Sequence, residues 1–169
     1  LMNEKAKSLG LDDTNFENPH GLDAKNHYTS AHDLAIITAE ALKNETFRKI
    51  TSTYKKEVAS NLKSRLLVNH NKMLKSYDGC IGVKTGYTKK SGRSLVSAAE
   101  RDGLTLISVT IDAPSDWSDH TKMLDYGYSL IENRALAYKE DYMYTIPVID
   151  GEKEFVTAGI VNDIYKVVN

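Results

Sequence analysis

The fold follows from a stretch of sequence that reads Gly79-Cys80-Ile81-Gly82-Val83-Lys84-Thr85-Gly86-Tyr87-Thr88 and continues, after two lysines, as Ser91-Gly92-Arg93-Ser94-Leu95-Val96-Ser97-Ala98-Ala99. Short apolar runs at 81–84 and 95–99 predict a strand that ends in Lys-Thr-Gly, a turn and a second strand. A third strand is predicted over 104–111, because the hairpin dipeptide Asp102-Gly103 precedes it. Three strands joined by short turns predict an antiparallel sheet.

Helical patterns lie on both sides of these strands in the sequence. We predict helices over 2–9, after Ser30, over 45–51, near 72–75 and over 116–133, and an extended run at 66–68. Gly10 follows the first helix as its C-terminal glycine, and Ser30 and Ser115 are N-cap residues. The last helix carries apolar side chains at Trp117, Met123, Leu124, Tyr128 and Ile131. These patterns predict the α+β class, in which an antiparallel sheet has helices on its faces.

The pattern changes after Arg134. Alternating apolar and polar residues over 142–148 and 154–157, separated by Asp150-Gly151, predict two strands joined by a turn. We therefore divide the chain into residues 1–134 and a β-rich part over 135–169. An edge hairpin that packs on the first part is the alternative interpretation of this tail.

Several further segments accompany Lys84-Thr85-Gly86 in a recognisable order. They are Met2-Asn3-Glu4-Lys5-Ala6-Lys7-Ser8-Leu9-Gly10, Thr14-Asn15-Phe16, Asn18-Pro19-His20-Gly21-Leu22, His27-Tyr28-Thr29-Ser30-Ala31-His32-Asp33-Leu34-Ala35 and Asn69-His70-Asn71-Lys72-Met73-Leu74. The series resembles the D-alanyl-D-alanine carboxypeptidases, the low-molecular-weight penicillin-binding proteins of bacterial cell walls. The resemblance runs from Met2 to Tyr128, and Lys-Thr-Gly is one of three signatures of the wider group of penicillin-recognising serine enzymes.

The resemblance implies a fold and a function. It implies the sheet of the penicillin-binding proteins and β-lactamases, with residues 1–134 as the C-terminal part of the peptidase domain and 135–169 as the start of the β-rich domain that follows it. It implies a serine hydrolase that removes the terminal D-Ala from peptidoglycan stem peptides through an acyl-enzyme, with β-lactams as inhibitors. No cofactor or metal is implied. The expected location is the outer face of the bacterial cytoplasmic membrane or the cell wall.

Four consecutive residues form the predicted site. Lys84 would place a cation there, favouring a substrate carboxylate and depressing the pKa of a neighbouring base. Thr85 offers a hydroxyl donor to that carboxylate, and Gly86 allows close approach of the ligand because it has no Cβ atom. By resemblance, the backbone N–H of Tyr87 is one donor of the oxyanion hole, and the missing serine supplies the other.

The catalytic serine itself is not found in this sequence. Two Ser-x-x-Lys strings begin at Ser52 and Ser60, but both lie in polar stretches and neither opens an amphipathic helix. We interpret both as coincidences, and no Ser-x-Asn motif occurs. We therefore expect that the chain is incomplete, that the nucleophile lies upstream, and that the chain alone is inactive.

The sequence also leaves undecided which group binds the substrate carboxylate. Several relatives carry an arginine in the stretch that corresponds to 116–120, where this sequence has Asp119 at the matching place. His120 or Arg93 could substitute, or Lys84 and Thr85 could hold the carboxylate alone, which is the alternative ranked first. A β-lactamase or esterase on the same scaffold and a non-catalytic muropeptide-binding module are the alternative functions.

Composition excludes several classes of protein. The chain has 22 Lys and Arg against 23 Asp and Glu, so its net charge of −1 gives no strong field for nucleic acid. Cys80 is the single cysteine, which excludes an internal disulfide. The spacings of His20, His27 and His32 fit no closed zinc motif. No run of about 20 apolar residues occurs, so membrane attachment would need other segments.

Overall fold

The computed structural model describes residues 1–59 and 63–168. Its helices are α1 (Met2–Ser8), α2 (Ala31–Ala41), α3 (Glu45–Ser52), α4 (Met73–Ser76) and α5 (Asp116–Leu130). Its strands are β1 (Lys55–Ala59), β2 (Ser64–Val68), β3 (Cys80–Thr88), β4 (Gly92–Arg101), β5 (Leu104–Thr110), β6 (Glu132–Ala137), β7 (Met143–Pro147), β8 (Phe155–Gly159) and β9 (Ile164–Val168). A 3-10 turn spans Lys139–Tyr142.

The central sheet is antiparallel and has the strand order β3-β4-β5. Asp102 and Gly103 both have positive φ, 49° and 74°, as a two-residue type I′ hairpin turn requires. The three predicted strands are thus confirmed, but the predicted end of the first strand is wrong. Lys-Thr-Gly lies in the middle of β3, because pairing with β4 continues through Thr88, opposite Gly92.

Both faces of the sheet are covered, as the sequence predicted. On one face, Leu95 and Ala99 of β4 pack with Met73, Tyr77 and Leu124, which brings α4 and α5 against the sheet. On the other face the core comprises Val83, Val96 and Ala98, with partly buried side chains of α2 and α3 around them. Side chains of β4 point alternately to the two faces, so this strand contributes to a hydrophobic core on each face. The α+β class is confirmed.

Two of the three predicted helix caps are confirmed. Gly10 follows α1 with φ of 73°, and the hydroxyl of Ser30 accepts a hydrogen bond of 3.1 Å from the backbone N–H of Asp33. Ser115 makes no such bond. Instead, Asp116 accepts the backbone N–H of Trp117 at 3.0 Å, so the carboxylate of the next residue takes the role predicted for the serine.

The last helix is shorter than predicted. It ends at Leu130 rather than Asn133, because Ile131 has an extended backbone and the chain enters β6, which pairs with β9. Met123, predicted as an apolar position, is exposed, whereas Leu124 is fully buried. Packing against the sheet, and not apolarity alone, selects the buried face of α5.

The tail forms strands as the alternation predicted. Strand β7 pairs with β8 on either side of Asp150-Gly151, and β6 pairs with β9, both antiparallel. These ladders are separate in their hydrogen bonding from the central sheet. The division of the chain at Arg134 into two domains stays a prediction.

Candidate active site

An open cleft of about 430 Å³ lies along β3, where it meets β4 and the start of α5. All four predicted site residues line it. The full lining consists of His70, Lys84, Thr85, Gly86, Tyr87, Arg93, Ser94, Asp116 and Trp117. The sequence prediction thus identified one wall of the cleft and missed the contribution of Asp116 and Trp117.

Strand β3 gives the cleft an open edge. Among residues 1–59 and 63–168 it pairs with β4 alone, so its other side has no strand partner. Tyr87 is 71 % exposed at this edge. An edge strand of this kind presents backbone donors and acceptors to which an extended peptide can add as a further strand.

The ammonium group of Lys84 is exposed and available. Its Nζ donates a hydrogen bond to the backbone carbonyl of the next residue, Thr85. No carboxylate in the part of the chain that the structure describes forms an ion pair with it. The charge of Lys84 is therefore not neutralised by a neighbour and can act on an anion in the cleft.

The cleft lining also contains an arginine held by a buried carboxylate. Arg93 donates from Nε to Asp116 Oδ2 at 3.2 Å and from Nη2 to both carboxylate oxygens at 3.0 and 2.9 Å. The side chain of Asp116 is almost fully buried, while that of Arg93 is 44 % exposed. The Trp117 ring centroid lies 6.0 Å from Arg93 Cζ, within range of a cation–π contact.

Comparison with known proteins identifies the family. The profile of the D-alanyl-D-alanine carboxypeptidase family matches residues 1–115. The chain belongs to this family. It is 38 % identical over 159 residues to the D-alanyl-D-alanine carboxypeptidase DacF of Bacillus subtilis, a match that covers 92 % of this chain and 41 % of that protein. It is 34 % identical over 137 residues to DacB2 of Mycobacterium tuberculosis, covering 76 % of this chain and 47 % of the relative.

Solved structures of the family share the fold. The Streptomyces K15 DD-transpeptidase superposes with a TM-score of 0.71 at 36 % identity, over 76 % of this chain and 53 % of that one. The D-alanyl-D-alanine carboxypeptidase of M. tuberculosis H37Rv gives 0.70 at 34 % identity, over 76 % and 52 %. This D-alanyl-D-alanine carboxypeptidase family member therefore spans about half or less of the length of the relatives that it matches.

For neither Ser-x-x-Lys string of this carboxypeptidase family member does the structure show a serine that opens a helix, as a nucleophile motif requires. Ser52 is the last residue of α3, so it ends a helix rather than opening one, and its hydroxyl donates to the Lys49 carbonyl at 3.3 Å. Strand β1 begins three residues later, at Lys55. Ser60 and the next two residues lie outside the described residues.

Within the part of the chain that the structure describes, the other histidines of this family member do not come together in one site. His20 accepts the backbone N–H of Leu22 and His27 that of Glu17, both at 3.2 Å, so each histidine holds its own loop. No cluster of His, Cys, Asp and Glu in residues 1–59 and 63–168 could hold a metal ion. Within those residues, no helix is both long and apolar enough to span a bilayer.

His120 is excluded as a binder of the substrate carboxylate. Its ring is fully buried between α5 and β5, where Nδ1 lies 2.7 Å from the Ser108 hydroxyl and Nε2 lies 2.9 Å from the Thr110 hydroxyl. Burial lowers the pKa of His120 to about 4, and nearby Asp116 and Asp119 oppose that shift only in part. A neutral imidazole bonded to two hydroxyls joins α5 to the sheet.

This buried histidine predicts that the free energy of unfolding falls with acidification. In the unfolded chain His120 takes up a proton near pH 6.5, but in the folded chain only near pH 4. Between these values the unfolded state binds more protons, so stability decreases as the pH is lowered from 6.5 to 4. Urea unfolding across that range should show a smaller slope for His120→Gln than for the unchanged chain. His20→Gln, at an exposed loop position, is the control. An unchanged slope in His120→Gln would contradict the assignment.

Proposed function

We propose that this chain supplies the Lys-Thr-Gly part of the active site of a serine-type D-Ala-D-Ala carboxypeptidase. The enzyme would remove the terminal D-Ala from peptidoglycan stem peptides through an acyl-enzyme, and β-lactams would inhibit it. The observation that supports this most strongly is the position of Lys84 on an edge strand that borders a cleft, with its ammonium group free of carboxylate partners among the described residues. The site would act at the outer face of the cytoplasmic membrane or in the cell wall.

Each of the four residues has a role in this proposal. Lys84 is the catalytic cation, which attracts the substrate carboxylate and depresses the pKa of the neighbouring base. Thr85 donates its hydroxyl to that carboxylate. The backbone N–H of Tyr87 stabilises the oxyanion together with a donor from the nucleophilic serine. Gly86 lets the substrate approach the strand because it has no Cβ atom. The atoms nearest to where a Cβ would lie belong to Ser94, at 3.8 Å or more.

The substrate is proposed to bind along β3. A stem peptide is extended and can donate and accept backbone hydrogen bonds at the free edge of this strand. Its scissile bond would then lie beside Lys84 and Thr85 rather than at a strand end, because Lys-Thr-Gly is in mid-strand. This arrangement gives the peptide ladder contacts on both sides of the reacting carbonyl.

The nucleophile is proposed to come from polypeptide outside these 169 residues. The sequence contains no Ser-x-Asn motif, and the Ser52 string ends a helix rather than opening one. The B. subtilis relative also extends well beyond the matched part, since this chain covers 41 % of it. The isolated chain would therefore bind muropeptides without cleaving them.

Release of D-Ala from diacetyl-Lys-D-Ala-D-Ala by the full-length protein tests this function. We expect stoichiometric formation of D-Ala and the shortened peptide, and slow or no turnover of a chromogenic cephalosporin. Rapid cephalosporin turnover without D-Ala release would favour the β-lactamase alternative. Binding of the peptide with neither reaction would favour a muropeptide-binding module.

A further inference from the structure

We infer that Arg93, held in place by Asp116, binds the C-terminal carboxylate of the peptide in the cleft; this rests on the proposed function. The sequence leaves Arg93 as one of three alternatives, and the structure removes one of them, His120. His120 is buried away from the cleft, and Lys84 and Thr85 share the cleft lining with Arg93. The cleft therefore contains a guanidinium group whose surroundings suit an anion.

The hydrogen bonds of Arg93 leave one of its nitrogens without an acceptor among the described residues. Asp116 occupies the edge formed by Nε and Nη2. Nη1 contacts no acceptor in residues 1–59 and 63–168, so its N–H groups remain available to an anion in the cleft. A hydrogen bond from a guanidinium N–H to a carboxylate is charge-assisted and therefore stronger than one between neutral groups.

The sheet register places the side chain of Arg93 on the same face as those of Thr85 and Tyr87. Arg93 lies opposite Tyr87 in the β3–β4 ladder, so both side chains leave the sheet on the same face. Thr85, two residues before Tyr87, shares that face because side chains alternate along a strand. Thr85 and Arg93 therefore border the cleft from the same face of the sheet, and both belong to its lining.

Asp116 acts as a positioning residue. It is 3 % exposed, accepts the Trp117 N–H at 3.0 Å and is fixed at the start of α5. Because it already holds the arginine, the side chain loses less conformational entropy when a ligand binds. The Arg93–Asp116 pair is neutral overall, so Arg93 contributes direction and hydrogen bonds while Lys84 contributes the net positive charge.

Trp117 provides the measurement. It is the single tryptophan of the chain and lines the cleft beside Arg93, so its fluorescence reports occupancy. The 169-residue chain would be titrated with acetyl-D-Ala-D-Ala and with the C-terminal amide of the same dipeptide. We expect the acid to bind more tightly than the amide. Arg93→Gln should weaken binding of the acid by about ten- to a hundredfold and leave the affinity for the amide unchanged.

Two further variants separate binding from folding. Arg65→Gln removes an exposed arginine of β2 outside the cleft and should preserve the acid-to-amide ratio. Asp116→Asn should reduce that ratio less than Arg93→Gln, because it loosens the guanidinium without removing it. Because each variant is compared on two ligands, a general loss of stability does not mimic the effect.

An unchanged acid-to-amide ratio in Arg93→Gln would overturn the inference, as would failure of the unchanged chain to bind the acid. The proposed function is tested separately, by D-Ala release from the full-length protein. Acid-selective binding without D-Ala release would refute the function and leave the Arg93 site in place. D-Ala release by the full-length protein, with no loss of the acid-to-amide ratio in Arg93→Gln, would support the function and refute the Arg93 site.

Discussion

Lys84→Ala is expected to slow acylation of the full-length protein by a labelled penicillin about 10- to 150-fold. The substitution removes a charge-assisted hydrogen bond to the carboxylate of the ligand, worth about 1.5–3 kcal/mol. No carboxylate in the described part of the chain pairs with Lys84, so its full charge is available to the ligand. The melting temperature should change little, because the side chain is exposed and packs against little.

Two further lysine variants sharpen that experiment. Lys84→Arg should recover only part of the rate, because the guanidinium is longer and differently shaped than an ammonium group. Lys55→Ala is the matched control, since Lys55 is an exposed strand lysine and completes the string that begins at Ser52. It should acylate normally. Unchanged acylation in Lys84→Ala would remove the central residue of the proposed site.

Leu124→Ala is expected to lower the free energy of unfolding by about 2–5 kcal/mol. Leu124 is 1 % exposed and packs with Leu95 and Ala99 of β4, so truncation leaves a cavity between α5 and the sheet. Alanine is the best helix former, and the loss therefore measures packing rather than helix propensity. Urea unfolding followed by circular dichroism gives the value.

The control for this core variant lies on the same helix. Leu130 is the last residue of α5 and is half exposed, so Leu130→Ala should change stability by less than about 1 kcal/mol. Because α5 begins with Asp116, loosening it should also disturb the Arg93 contact. Equal stability losses in the two variants would contradict the described packing of α5.

Local sequence signals predicted much of the fold. The hairpin at Asp102-Gly103, the cap at Ser30 and the glycine after α1 depend on the backbone needs of a few adjacent residues, and all are confirmed. The end of α5 and the length of β3 were wrong. Both are decided by strand pairing with distant or flanking residues, which local propensity does not contain.

The candidate site, like the fold, was predictable where its residues are adjacent in the sequence and not where they are distant. Lys84, Thr85, Gly86 and Tyr87 are contiguous, and the motif places them together on one wall of the cleft. The contact of Arg93 with Asp116 joins residues 23 positions apart and has no local signal. The burial of His120 likewise depends on Ser108 of a neighbouring strand. Because the two strands are joined by a short turn, counting residues from Lys-Thr-Gly across it could have placed Arg93 opposite Tyr87. The same count could not have identified Asp116 as the partner of Arg93.

Intact-mass measurement after incubation with benzylpenicillin tests most directly the claim that this chain supplies the Lys-Thr-Gly part of the site and not the nucleophile. We predict that the full-length protein gains one penicillin on a serine outside residues 1–169, and that the 169-residue chain alone gains none. A stoichiometric adduct on the isolated chain, mapped to Ser52 or Ser60, would contradict the account, as would the absence of any adduct on the full-length protein.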